Sequence, residues 1–84
     1  MPTEPQHTVK LFGQAIRKRR NELGISQESL AETAGLHRTY VADIERGTRN
    51  LSLVNIFKLA DALGMRVGTL FSEYVENETG KNSP

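Results

Sequence analysis

An all-α domain of five helices is predicted by three observations. Apolar residues recur at helical spacing, as in Val9, Phe12 and Ile16, or Ile56, Leu59, Ala60 and Leu63. Glycines at 24, 35, 47 and 64 each follow such a stretch, where a residue free to turn left-handed closes a helix. Ser26 and Ser52 each precede one, where a hydroxyl can accept a hydrogen bond from an unpaired first-turn amide.

The elements follow in order. Residues 1–7 hold two prolines, no periodicity and no Lys or Arg, and read as a disordered arm. The first helix is expected over residues 8–23, with Ala15 and Leu23 beside the Val9, Phe12 and Ile16 stripe. Its basic block at residues 17–20 suits a helix carboxyl end, with Lys18 and Arg19 on a solvated face. After Ser26, the residues Leu30, Ala31 and Ala34 give a narrow stripe small enough for close packing, and Gly35 turns the chain. A third helix over about residues 38–46 puts Leu36, Val41 and Ile44 inward and leaves Arg38, Thr39, Tyr40 and Asp43 outward. Two helices this short cannot bury a core alone, so the rest of the chain should be their scaffold. Residues 47–50 form a loop. The fourth helix, over residues 53–63, carries Leu53, Ile56, Phe57, Leu59, Ala60 and Leu63 on one broad inward face, with Lys58 and Asp61 opposite. A short fifth helix starts at Val67 or Thr69 and ends near Tyr74. Residues 76–84 are polar and read as a disordered tail, so residues 8–75 make up the domain.

Eighty-four residues suffice for one domain and bury only roughly 60% of the unfolded surface, which favours association. The chain has no cysteine, no hydrophobic leader and no apolar run long enough for a bilayer; a soluble, cytoplasmic protein without membrane contact is the expectation. The formal net charge is only +1, but it is unevenly spread. Residues 8–50 hold eight Lys and Arg against five Asp and Glu, while residues 51–84 hold three against four. The positive excess therefore accompanies the helix pair. There is no nucleophile–base pair with a third partner, no phosphate-binding glycine loop and no paired carboxylates. His7 and His37 are too far apart in sequence, and too poorly supported, for a metal site. The pattern is that of a binder and not an enzyme, with no cofactor, metal or small-molecule ligand.

Ser26-Gln27, Leu30-Ala31 and Gly35, followed by Ile44-Glu45-Arg46-Gly47, resemble the phage-repressor and Cro (XRE-like) helix-turn-helix family. Leu36-His37-Arg38-Thr39-Tyr40-Val41 and Asp43-Ile44-Glu45-Arg46-Gly47-Thr48-Arg49-Asn50 are similar to controller proteins of restriction–modification systems. The resemblance covers residues 10–72 and departs at Leu51, where many relatives have proline. It implies a five-helix, lambda-repressor-like fold whose second and third helices form the helix-turn-helix. It also implies a dimeric transcriptional regulator of its own and a neighbouring operon, with double-stranded DNA as partner. In the family, the residue at Arg20 forms a partly buried ion pair with the one at Glu45, and the glutamine at Gln27 bonds a backbone phosphate.

Recognition helices address base edges with their amino-terminal residues, which points to Arg38 and Thr39. The guanidinium of Arg38 fits the O6 and N7 acceptors of guanine. Thr39 can offer its hydroxyl to a base or its methyl to thymine. Asp43, one turn on, is the third base-reading candidate: it can accept from cytosine N4, the alternatives being that it pairs with Arg46 or simply excludes wrong sequences. Gln27, His37, Tyr40, Arg46, Thr48, Arg49 and Asn50 are expected on the DNA backbone. Leu70 and Phe71 can close the core; with Val67, Tyr74 and Val75 they are expected to join two copies in a homodimer, the alternative being that these residues only seal a monomer's own core. Glu28 and Glu32 are either an acidic edge for RNA polymerase or a solvated face. A protein-interaction module of antitoxin type on the same fold is the rival, although both tails look short for one.

Overall fold

The computed structural model describes residues 4–76 and contains no strand among them. Its helices are α1 (Pro5–Leu23), α2 (Gln27–Ala34), α3 (Arg38–Arg46), α4 (Leu53–Ala62) and α5 (Val67–Thr69), the last running on into a π-helical turn at Leu70–Val75. The fold is the expected all-helical one. Among the described residues, no helix is long and apolar enough to cross a membrane.

Helix α1 starts earlier than expected, so Pro5, Gln6 and His7 form its first turn and are not part of an arm. The reason is local. Proline suits the first helical position because its missing N–H would be unpaired there and its φ is already helical. The carbonyl of Glu4 then accepts from the Thr8 amide at 3.1 Å and from the Thr8 hydroxyl at 3.2 Å. Residues 1–3 of the expected arm and 77–84 of the expected tail lie outside the described residues.

The helix pair forms as its capping chemistry dictates. Ser26 Oγ accepts from the Ser29 amide at 3.0 Å. Gly35 takes φ 72°, and its amide and that of Leu36 close onto the last carbonyls of α2. The left-handed geometry explains why this turn uses glycine. Ile16, Leu30, Val41, Ile44, Leu59, Leu63 and Leu70 form the innermost layer, each at most 1% exposed. Every helix longer than one turn contributes to it.

Helices α1 and α3 meet backbone to backbone at Gly13. A Cβ at that position would lie 2.1 Å from the Ile44 carbonyl oxygen and 3.0 Å from that of Glu45. The obstacle is main chain, which no rotamer change relieves. We therefore expect Gly13→Ala to lift α3 off α1 and to cost about 1–3 kcal/mol or more. A urea titration would register this as a lower midpoint at unchanged slope. An unchanged midpoint would mean that the two helices do not touch there.

Two apolar assignments differ from the expectation. On α4, the buried residues are Leu59 and Ala60, followed by Leu63, with Ile56 half-buried; Leu53, Val54 and Phe57 are 68%, 62% and 55% exposed. At 100° per residue, positions 53, 54 and 57 share a stripe with Lys58 and Asp61, while 56, 59, 60 and 63 share the other side. A helix packed on one flank can bury only one of these stripes. The second difference concerns the residues expected to join two copies. Leu70 and Val75 are sealed in the core at 0% and 7% exposure. In a π turn the hydrogen bonds link residues five apart, as Glu76 to Phe71 here, which brings Leu70 and Val75 to the same side. Val67, Phe71 and Tyr74 are half-buried against that core. The Phe71 ring lies 5.5 Å from that of Phe12. The Tyr74 hydroxyl bonds the Glu22 carboxylate, and the Lys18 ammonium sits 5.7 Å from the Tyr74 ring. These residues close the domain's own core. Arg19 is not simply solvated either, because its Nε donates to the Leu63 carbonyl at 3.2 Å.

Candidate nucleic-acid interface

Helix α3 is mounted from behind by a charged junction. Arg20 Nε donates to Glu45 Oε2 at 2.7 Å and its Nη2 to Glu45 Oε1 at 3.0 Å, a two-pronged contact matching the planar guanidinium. Its Nη1 donates to the Ile25 carbonyl at 2.8 Å, in the loop between α1 and α2. Gln27 Nε2 completes the set by donating to Glu45 Oε1 at 3.0 Å. The side chains of Arg20 and Glu45 are 13% and 3% exposed. The hydrogen bond to Glu45 raises the arginine pKa above its ordinary value, against the opposing effect of burial. As far as the arginine's own proton is concerned, the contribution is present below the ordinary arginine range and is lost as pH climbs past the raised value. Gln27, expected on a phosphate, has one of its amide N–H groups turned inward to this junction.

The outer face of α3 is open. Arg38 and Thr39 are exposed on its first turn. His37 stands at the N-cap without a side-chain cap bond, so it leaves the first amides of the helix uncovered. Asp43 takes the ion-pair alternative: Oδ1 accepts from Arg46 and Oδ2 lies 3.5 Å from Arg49 Nη2. Both oxygens are thus engaged, and the carboxylate is only 20% exposed. Its attraction to two arginines outweighs free presentation to solvent.

Behind the reading face, the loop after α3 is tied to the helix. The Thr48 amide and hydroxyl both donate to the Asp43 carbonyl, at 3.0 Å and 3.1 Å. Asn50 Oδ1 accepts from the Leu51 amide at 2.9 Å, a bond that a proline at this position would forbid. The Arg49 guanidinium lies 5.0 Å from the centre of the Tyr40 ring. Tyr40 is half-buried, and its hydroxyl accepts from Asn55 Nδ2 at 2.9 Å. Arg46, Thr48, Arg49 and Asn50 also line a groove shared with Pro5, Gln6, Val9 and Lys10 of α1. Lys10 and Asn55 escaped the sequence reading. Lys10 lies within the expected first helix, and spacing along that helix carries no sign of the groove it shares with the loop after α3. Asn55 offered none beyond its position in the first turn after Ser52.

The arrangement provides exposed hydrogen-bonding side chains on a fixed helix, flanked by cations and amides. It suits a polyanion whose edges carry donors and acceptors. Among the described residues, no cluster of His, Asp or Glu is placed to hold a metal ion.

The model of the helix-turn-helix family HTH_3 matches residues 16–70. The chain is 56% identical over 57 residues to the control protein C.BamHI of Bacillus amyloliquefaciens, covering 67% of this chain and 70% of that one. It is similar in structure to the restriction–modification controller protein C.AhdI of Aeromonas hydrophila, with a TM-score of 0.73 and 52% identity over 75% of this chain and 96% of the other. It also resembles the controller protein C.Esp1396I, solved as a tetramer on its natural 35-base-pair operator, with a TM-score of 0.77 and 30% identity over 82% and 91% of the two chains.

Proposed function

Since this chain belongs to the helix-turn-helix family that includes the restriction–modification controllers, we propose that it regulates transcription as a dimer on a near-palindromic operator. It is a DNA-binding regulator and not an enzyme. The observation that carries the finer reading is the exposure of Arg38 and Thr39 at the open end of α3. With α3 in the major groove, Arg38 donates to guanine O6 and N7, and Thr39 meets a neighbouring base. His37, Tyr40, Arg46, Thr48, Arg49 and Asn50 grip phosphates on either side. Gln27 adds its remaining amide hydrogen at the start of α2, and Lys10 extends the cationic rim. Asp43 is better suited to holding Arg46 and Arg49 in place than to reading cytosine.

The dimer surface is better placed on α4 than on the closing turn. Leu53, Val54 and Phe57 are the apolar residues most exposed on one helix, in a shallow groove with Lys58 and Asp61. A two-fold axis through this face would let the lysine of each copy approach the aspartate of the other. C.Esp1396I is a tetramer on its operator, an assembly that two two-fold dimers can build. Glu28 and Glu32 are exposed on α2 and give RNA polymerase an acidic edge to meet. Control then acts on the protein's own and a neighbouring operon through its concentration.

Selection of bound sites from randomised DNA tests this reading, with two half-sites about one helical turn apart as the expected yield. Arg38→Ala should reduce discrimination by roughly 1–3 kcal/mol while leaving binding to random DNA nearly intact. Arg49→Ala should weaken both and lower the salt dependence by about one counterion. Identical behaviour of the two variants on both DNAs would remove the division between readers and grippers.

A further inference from the structure

We propose that Asn55 is a positioning residue that aims the Tyr40 hydroxyl proton outward, making that tyrosine an obligate donor to a DNA phosphate. The inference rests on the regulator reading and deepens it. Tyr40 is held by three elements: its own helix α3, Arg49 of the following loop against its ring at 5.0 Å, and Asn55 of α4 at its oxygen at 2.9 Å. The polarity of that last bond carries the argument. A phenol has one proton to give and lone pairs to receive with. Asn55 Nδ2 donates, so it occupies a lone pair and leaves the proton free. A phosphate oxygen only accepts, so this is the arrangement under which the tyrosine can bind it.

The support for Asn55 is itself ordered. Its backbone amide donates to Ser52 Oγ at 3.2 Å, which fixes the first turn of α4. Tyr40 and Asn55 are both half-buried, so water competes less for their bond than at an open surface. The contact also links α4 directly to the recognition helix. Nothing in the role requires Asn55 to touch DNA.

Reversing the hydrogen bond separates this idea from a merely structural one. Asn55→Ala releases the hydroxyl and should weaken operator binding about 3- to 10-fold. Asn55→Asp should be worse than Asn55→Ala, because a carboxylate draws the tyrosine proton inward and leaves a lone pair facing the phosphate. Each variant is repeated in a Tyr40→Phe background, where the hydroxyl is absent. There Asn55→Ala should change nothing, and Asn55→Asp should retain only the effect of its charge on a polyanion. Unfolding midpoints of all variants are measured alongside. The proposal is overturned if Asn55→Ala binds the operator as tightly as wild type, or if it loses as much affinity in Tyr40→Phe as in the parent. Wild-type protein that selects no DNA sequence at all would instead overturn the regulator reading on which this one stands.

Discussion

Glu45→Ala is expected to lower stability by about 3–5 kcal/mol, the range found when one member of a buried ion pair is removed. In a domain of this size that is a fall of at least about 12 °C in unfolding temperature. The variant strands the Arg20 guanidinium, which is 13% exposed and keeps only its bond to the Ile25 carbonyl. It also strands the amide of Gln27. The junction joins α1, the loop before α2, α2 itself and α3, so its loss loosens every element that holds the recognition helix. Arg20→Ala should cost a similar amount, since it leaves the Glu45 carboxylate, 3% exposed, with Gln27 alone. The double variant should cost less than the sum of the two singles, because the stranded charge is then gone. Calorimetry on the three variants checks this, and unchanged midpoints in both singles would show the pair to be energetically idle.

Phe57→Asp is expected to turn the dimer into a monomer and to reduce affinity for the full operator roughly 100-fold or more, while binding to an isolated half-site stays the same. The magnitude follows from linkage: a second subunit on the same DNA binds at an effective concentration far above its free one. Phe57 is 55% exposed, so the substitution should leave the monomer's stability within about 0.5 kcal/mol. Phe71→Asp would be a poor substitute, because Phe71 packs on Phe12 and the change would damage the core. Sedimentation at micromolar concentration, together with titrations of full and half sites, distinguishes the outcomes. A wild-type monomer that binds one half-site as tightly as two would sink the dimer, and a Phe57→Asp protein that stayed dimeric would move the interface elsewhere.

The local chemistry of the chain was legible and its long-range packing less so. Ser26, Ser52 and Gly35 act through bonds between residues no more than five positions apart, which is why both ends of α2 and the start of α4 could be read directly. Periodicity failed on α4 for a physical reason: it carries two apolar stripes, and spacing alone cannot say which one meets the core. It failed again at Leu70–Val75, where the turn is wider than an α-helix and an ordinary pitch directs Val75 to the wrong side. The site divided in the same way. Arg38 and Thr39 on the first turn of α3 follow from where that helix begins. The pairing of Asp43 with Arg46, three residues on, was among the readings the sequence left open, whereas the inward turn of Gln27, the engagement of Asp43 by Arg49 and the bond from Asn55 to Tyr40 depend on partners 6 to 18 residues away. Gly13 left a trace in the sequence, since a glycine inside a helix costs about 1 kcal/mol relative to alanine and so calls for a packing reason.

The contact at Gly13 bears on how such a protein can acquire new targets. Because α3 rests on α1 through main-chain atoms, the inclination at which it meets a groove is independent of its outward side chains. Substitutions at Arg38 and Thr39 then rewrite the sequence preference without re-aiming the helix. Specificity becomes a separately heritable property of a few surface positions, and one scaffold can diverge among many operators while its interior stays still.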